Sequence, residues 1–188
     1  VYMDQKMGAE NMTQYTRSYL SELHARKAVM QSYTNLGWKE DGSFLLGKYH
    51  IGKDFMRENV VVAKTLPVAA PIQMTGELGP WVELTEVLQE EDMHTMAFVF
   101  LVGLSAPLYH FTGFGGVAIN MVGETGIGKT SIQRLINSLY GHPEKLLARA
   151  GDSPKNNVSR LATMGHLPGC CDELGNLVLL HPNCHRQL

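Results

Sequence analysis

Eight consecutive residues, at positions 123–130, constrain most strongly how this chain can fold. Their sequence, GETGIGKT, matches the pattern G-x-x-x-x-G-K-[ST] at every fixed position. In such a loop the glycines let the backbone wrap around an anion, so that successive N–H groups point at phosphate oxygens. The predicted phosphate-binding residues are Gly123, Glu124, Thr125, Gly126, Ile127, Gly128, Lys129 and Thr130, together with Ser131 directly after them.

The sequence on both sides of this loop has the periodicity that a phosphate loop requires. Residues 117–122 form a short apolar run of strand length, and apolar residues recur at helical spacing directly after the loop. Those helical positions are Ile132, Leu135, Ile136 and Leu139. A motif of this form can arise by chance, but a chance match would not be flanked by a predicted strand and a predicted helix. A glycine-rich turn with an incidental lysine is therefore the weaker alternative.

Two side chains at the end of the loop predict its ligand. Lys129 is placed to reach the terminal phosphates of a nucleotide, and the Thr130 hydroxyl is placed to bind Mg²⁺. A magnesium ion that bridges the outer phosphates neutralises the charge that builds as the bond breaks. We therefore expect ATP with Mg²⁺ as the ligand of this loop.

A pair of carboxylates, Asp172 and Glu173, is predicted to complete the site. A P-loop protein that hydrolyses its nucleotide needs a carboxylate near the magnesium shell, so Asp172 joins Thr130 as a predicted metal-binding residue. A second carboxylate often orients the attacking water, which gives Glu173 a predicted catalytic role beside Lys129 and Asp172. Because the Pro-Gly dipeptide before the pair is a poor strand former, an exposed pair in a loop is the alternative.

The chain between the loop and the carboxylates is long enough for a helix, a strand, another helix and a second strand. Residues 145–150 predict the first of these strands. Residues 156–164 predict the second helix, with Val158 and Leu161 facing inward.

Upstream of the loop, residue spacing predicts three helices and one hairpin. Residues 10–30 predict an amphipathic helix with its apolar face at Met12, Tyr15, Tyr19 and Leu23. An Asp-Gly turn within residues 37–46 predicts a hairpin, and residues 59–74, interrupted by two prolines, predict a linker with edge strands. Pro80 marks the start of a second helix. Residues 96–109 predict a buried helix, shorter than the roughly 20 residues that a membrane span needs.

Residues from about 37 to 176 resemble the P-loop ATPase domain of phage and mobile-element replication proteins, helicase-like chains often joined to a primase. Beyond the phosphate loop and the Asp172-Glu173 pair, the likeness lies in several short segments and one polar residue. They are the Gly-Trp start of the hairpin (37–38), LSAPL (104–108), GDS (151–153), LATMGHLP (161–168) and Asn176. The resemblance implies a RecA-like α/β fold. It also implies ATP hydrolysis coupled to movement on single-stranded or duplex DNA, commonly as a homo-oligomeric ring.

The last residues resemble something else, the second half of an HNH nuclease motif as found at the end of group II intron-encoded proteins. In that motif a first histidine activates water, an asparagine positions the loop and a final histidine binds the metal ion. The resemblance gives Asn176 and His185 the last two roles. The first histidine falls in that pattern where this chain has Ala162, and His166 lies closer to the asparagine. The half-motif therefore lacks its base.

Composition limits the class of protein and its compartment. Apolar residues make up 44% and charged residues 18%, so the chain should fold. Its formal net charge is −2, so no global positive charge favours nucleic acid. The three cysteines crowd into the last nineteen residues, unlike a disulfide framework. A zinc site is a disfavoured alternative, because the spacing lacks paired C-x-x-C ligands. Its ligands would be Cys170, Cys171, Cys184, His181 and His185. With no secretion signal and no expected membrane contact, we expect the cytoplasm of a bacterial or phage-infected host cell.

These observations predict an α/β chain: an incomplete RecA-like P-loop NTPase core preceded by a small α+β region. The predicted parts are an N-terminal α+β region with the hairpin (1–75), the ATPase core (76–176) and an HNH-like tail (177–188). The abrupt ends suggest a fragment of a longer protein. Three alternatives to an ATPase motor stay open: a metal-dependent HNH nuclease, a nucleotide-binding scaffold without turnover, and a misfolded fragment.

Overall fold

The computed structural model describes residues 5–25, 32–58, 61–114, 116–149, 151–172 and 177–179. Its α-helices are α1 (Gln5–Ala25), α2 (Leu66–Ala69), α3 (Leu78–Glu86), α4 (His94–Ser105), α5 (Lys129–Ser138) and α6 (Pro154–Met164). Its strands are β1 (Gly37–Trp38), β2 (Phe44–Leu46), β3 (Tyr49–Ile51), β4 (Met56–Glu58), β5 (Ala118–Asn120), β6 (Leu147–Ala148), β7 (Gly169–Cys171) and β8 (Leu177–Leu179). The chain is thus a mixed α/β protein, which agrees with the predicted class.

The chain divides into two compact units, Val1–Gln31 and Ser32–Leu188. The first contains α1, so the predicted N-terminal helix is confirmed and begins five residues earlier than position 10. Met12 and Tyr15 on its predicted apolar face are each 69% exposed. Positions 26–30 of the prediction lie outside the described residues.

The predicted hairpin is the first half of a four-stranded antiparallel sheet in the second unit. Strands β1 to β4 follow one another in sheet order, and the β1–β2 register pairs Trp38 with Phe44. Gly42 in the turn has a φ of 75°, a left-handed conformation that glycine adopts without strain. The Ser43 N–H donates to the Asp41 carboxylate at 3.0 Å and closes the turn.

The prediction of a linker with edge strands for residues 59–74 is wrong. This segment contains the short helix α2, and its described extended pairing is a single bridge between Val61 and Tyr33. Pro67 lies in the first turn of α2, where a missing N–H removes no helical hydrogen bond. Val68 and Ala69 are buried, and they belong to a core that also contains Leu36, Leu45, Ile72, Leu146, Met164 and Leu167.

The prediction of a buried helix for residues 96–109 is corrected in two ways. The helix α4 continues into a 3-10 helix, Ala106–Phe111, and it buries one face only, through Val99, Phe100 and Gly103. The outward positions Phe98, Leu101, Leu104 and Leu108 are exposed.

The helical stretch that contains α4 is also longer than the sequence suggested. By length and composition alone Glu91–Phe111 could cross a membrane, since it has 21 residues and its most apolar 18-residue window has a mean hydropathy of 1.2. This is weak support for a span, because a core helix of a soluble protein passes the same test, and the inner face of α4 packs on α5.

The second sheet contains the strands around the phosphate loop, in the order β5-β8-β7-β6. Strand β7 is parallel to β6, and β8 runs antiparallel to both β5 and β7. Strands β5 and β7 therefore run in the same direction, with β8 between them. Residues 177–179, which the sequence assigned to the tail, supply this middle strand.

Helix α5 packs against α4 at a close crossing. The Ile132 and Ile136 side chains are buried, and Leu135 and Leu139 pack partly buried against the same core, so the predicted apolar stripe is confirmed. A Cβ atom on Gly103 of α4 would lie 2.6 Å from the Ile136 side chain, so a larger residue would force this side chain or the helix crossing to shift.

Helix α6 confirms the predicted second helix but not its inward face. Its buried residues are Asn157, Thr163 and Met164, whereas Val158 is 44% exposed. Leu161 is half-buried. The buried Asn157 and Met164 share one face with the half-buried Leu161, at a spacing of about 3.6 residues per turn. Val158 lies about 100° around the helix from Asn157.

Candidate nucleotide-binding site

The phosphate loop connects β5 to α5, as predicted. Gly126 and Gly128 have φ values of 92° and 93°, which reverse the chain before the helix begins at Lys129. The Ile132 N–H donates to the Gly128 carbonyl at 3.0 Å and closes the first helical turn. The N–H groups of this first turn have no carbonyl partner inside the helix, so the loop ends at a natural anion site.

The Lys129 ammonium folds back over the loop. Its Nζ donates to the carbonyl oxygens of Gly123 and Glu124, at 2.8 and 2.6 Å. A lysine with two oxygen acceptors over the loop is in reach of an anion bound there. Ser131 is exposed beside it on the first turn of α5.

Thr130 and Asp172 are adjacent in space although 42 positions separate them in sequence. The Thr130 hydroxyl donates to the Asp172 carboxylate, with 3.1 Å between Oγ1 and Oδ1, and both residues are half-buried. The Asp172 N–H donates to the Ala148 carbonyl at 2.8 Å, which continues the β7–β6 pairing by one residue. The Pro-Gly dipeptide thus does not prevent a strand from delivering Asp172 to the loop.

A second contact between α5 and β7 involves a residue that the sequence did not single out. The Gln133 Nε2 donates to the Cys171 carbonyl at 2.9 Å, in a buried position. A glutamine within a helical apolar stripe has no motif that would reveal it. The contact follows only from the packing of α5 on the end of β7.

The strand that delivers Asp172 contains neutral thiols. Burial raises the pKa of Cys170 to about 12 and also raises the pKa of Cys171, so neither thiol is a ready thiolate ligand at neutral pH. Among the described residues there is no group of three or more His, Cys, Asp or Glu side chains that could hold a metal ion. The other residues of the zinc alternative, Cys184, His181 and His185, lie outside the described residues.

Three predicted site residues lie outside the part of the chain that the structure describes: Glu173, Asn176 and His185. Their catalytic and metal-binding roles stay predictions. His166 is described, and its Nδ1 accepts the Trp38 N–H at 3.1 Å while its Nε2 lies 3.1 Å from His110 Nδ1.

Together these contacts define a mixed α/β chain with a glycine-rich loop at a helix N-terminus and a carboxylate beside the loop threonine. The chain belongs to the family described as Domain of unknown function (DUF927), whose model matches residues 3–169. This family is associated with proteins of phages and mobile elements. The chain has no significant match among curated proteins or among solved structures.

Proposed function

We propose that this chain is an ATP-binding and ATP-hydrolysing, helicase-like domain of a phage-type DNA replication protein. One observation supports the proposal above the others, the 3.1 Å contact between Thr130 and Asp172. The sequence predicts both side chains as magnesium ligands, Thr130 from the loop motif and Asp172 from the carboxylate that a hydrolysing P-loop protein needs. Their adjacency requires the fold, because no short segment contains both.

The residues present suit Mg²⁺ with a triphosphate. Hydroxyl and carboxylate oxygens are the ligands that Mg²⁺ prefers, and Thr130 and Asp172 offer one of each. When bound, the ion would neutralise charge on the outer phosphates. Lys129 would exchange its two carbonyl acceptors for phosphate oxygens, which are stronger acceptors because they are ionised.

The backbone around the loop also favours a bound anion. The ten-residue helix α5 directs its N-terminal N–H groups and the positive end of its dipole at the loop. The left-handed glycines Gly126 and Gly128 keep the loop free of Cβ atoms where the chain reverses. Glu173 would orient the attacking water, as the sequence predicts.

The biological setting is proposed from the resemblance to phage and mobile-element replication ATPases, and the association of the family supports it. We propose single-stranded or duplex DNA as the partner, a homo-oligomeric ring as the assembly of the full-length protein, and the cytoplasm as the compartment. The net charge of −2 means that any DNA contact depends on a local surface rather than on total charge.

Binding and turnover can be tested in one set of samples. The chain is titrated with a fluorescent ATP analogue in Mg²⁺, and phosphate release is followed with and without single-stranded DNA. Lys129→Ala should abolish saturable binding. Lys53→Ala is the matched control, because Lys53 is exposed in a turn of the hairpin sheet, and it should bind as the unmodified chain does.

The outcomes separate the possible functions. DNA-stimulated phosphate release supports the replication ATPase. Binding without release contradicts hydrolysis and favours a nucleotide-binding scaffold. A folded chain that does not bind the analogue, or that binds it equally well after Lys129→Ala, contradicts the proposal.

A further inference from the structure

Gln133 lies one turn beyond Thr130 on α5 and is fully buried. Its Nε2 donates to the Cys171 carbonyl at 2.9 Å. Cys171 is the last residue of β7 and directly precedes Asp172. Two successive turns of α5 therefore contact two successive residues at the end of β7, one through Thr130 and the other through Gln133.

The cost of burying Gln133 suggests more than a packing role. Its Oε1 atom is buried and has no hydrogen-bond partner within the described part of the chain. A buried acceptor without a partner costs stability, which offsets the gain from the bond that Nε2 makes. An apolar side chain of similar size would fill the same space without that penalty.

We infer that Gln133 is a positioning residue, which holds the end of β7 against α5 and thereby keeps the Asp172 carboxylate beside the Thr130 hydroxyl. The inference rests on the proposed function, because the two side chains need to stay adjacent only if they bind Mg²⁺ together.

The contact between Thr130 and Asp172 cannot maintain its own geometry once both oxygens turn towards a cation. The hydrogen bond from the Asp172 N–H to the Ala148 carbonyl joins β7 to the neighbouring strand β6. It does not hold β7 against α5. The Gln133 bond joins the helix to the strand and involves neither metal-binding side chain. This bond stays in place when the Thr130 hydroxyl and the Asp172 carboxylate change partner, and it lies closer to Asp172 in sequence than the apolar packing of Ile132 and Ile136 with Cys170.

Asn137, one turn further along α5, provides a matched control. It is also fully buried, and its Nδ2 donates to the Pro143 carbonyl at 3.1 Å. Both residues are buried amides that bind a backbone carbonyl, but the contact of Asn137 lies away from Asp172. A change in Mg²⁺ dependence caused by lost stability would appear at Asn137 as well, whereas one caused by lost positioning should appear only at Gln133.

The test compares Gln133→Met with Asn137→Leu, each close in shape to the residue it replaces. Affinity for the fluorescent ATP analogue is measured in EDTA and across a Mg²⁺ titration, and thermal unfolding is followed in the same preparations. Gln133→Met should unfold close to the temperature of the unmodified chain, because the lost bond to Cys171 and the removal of the unpaired Oε1 offset each other. Asn137→Leu should unfold at a lower temperature, because it loses the bond to Pro143 without such an offset. Gln133→Met should raise the Mg²⁺ concentration for half-maximal binding about fivefold, the effect of one neutral hydrogen bond, and leave affinity in EDTA within about twofold. Asn137→Leu should leave both values unchanged.

A double substitution adds a readout that a structural role would not change. In an Asp172→Asn background, Gln133→Met should shift the Mg²⁺ dependence no further, because the carboxylate that it positions is gone. If Gln133→Met does not fold, Gln133→Asn, which is one methylene too short to reach Cys171, replaces it in both measurements.

The failures are distinguishable. An unmodified chain that does not bind the nucleotide overturns the proposed function and this inference with it. If the unmodified chain binds the nucleotide, two results overturn the positioning role alone. One is an unchanged Mg²⁺ dependence in Gln133→Met, and the other is an equal shift in Asn137→Leu.

Discussion

Thr130→Val removes the hydroxyl that contacts Asp172 and preserves the shape of the side chain. A hydrogen bond to a charged group contributes about 1.5–3 kcal/mol when it is well formed and buried. The Thr130–Asp172 bond is 3.1 Å long, beyond the usual range for O–H···O contacts, and both residues are half-buried. We therefore expect a loss of about 1 kcal/mol in the free energy of unfolding.

This loss converts into a measurable change in melting temperature. For a chain of 188 residues, about 1 kcal/mol lowers Tm by roughly 2–4 °C. The substitution should also abolish the increase in nucleotide affinity that Mg²⁺ produces, because a metal ligand is lost. Thermal unfolding in EDTA and nucleotide binding across a Mg²⁺ titration measure the two effects separately.

Thr130→Ser is the control, because serine retains the hydroxyl at the same position. It should melt close to the unmodified chain and respond to Mg²⁺ as that chain does. A Thr130→Val chain that keeps both the Tm and the Mg²⁺ response would refute this role of the Thr130 hydroxyl, as would a Thr130→Ser chain that loses them to the same extent.

Three further predictions concern the stability of the fold. Gly128→Ala should lower Tm by about 2–8 °C, because a φ of 93° costs a residue with a Cβ atom about 1–2 kcal/mol; an unchanged Tm on thermal unfolding would contradict this. Ile136→Ala should lower Tm by about 10 °C, since this fully buried side chain fills the core between α4 and α5, and a loss under 2 °C would argue against that packing. Burial lowers the pKa of His50, and the Arg57 guanidinium lowers it further, against the opposing effect of Asp41. The unfolded chain therefore binds a proton on His50 more tightly than the folded chain does. The stability that neutral His50 contributes is present above about pH 6.5 and is lost as pH falls through the folded-state pKa. His50→Gln should show a smaller drop in Tm between pH 7.5 and pH 5 than the unmodified chain, and an equal drop would exclude this cause.

The sequence was sufficient for the parts of the site that depend on local pattern. The loop, the strand before it and the helix after it are contiguous, and glycine spacing together with helical periodicity defines them. The hairpin at residues 37–46 followed from its Asp-Gly turn for the same reason. Asp172 could be proposed from its position after the intervening elements, but only the fold shows that it lies beside Thr130.

The features that the sequence did not reveal depend on contacts between distant segments. The antiparallel strand β8 lies between β5 and β7, and nothing in its three residues indicates which strands it pairs with. The apolar run of α4 suggested burial on all sides, because composition does not show that only one face meets α5. The inward prediction for Val158 is wrong because an apolar side chain does not by itself mark the buried face of a helix, and in α6 the polar Asn157 is buried instead.

The most direct test of nucleotide binding at the loop is a calorimetric titration of the chain with ATP in Mg²⁺, repeated with Lys129→Ala. We expect saturable binding with about one nucleotide per chain, as one phosphate loop allows, and no detectable heat of binding in the variant. A well-folded chain with no binding, or equal binding by the variant, would contradict an ATP site at residues 123–130.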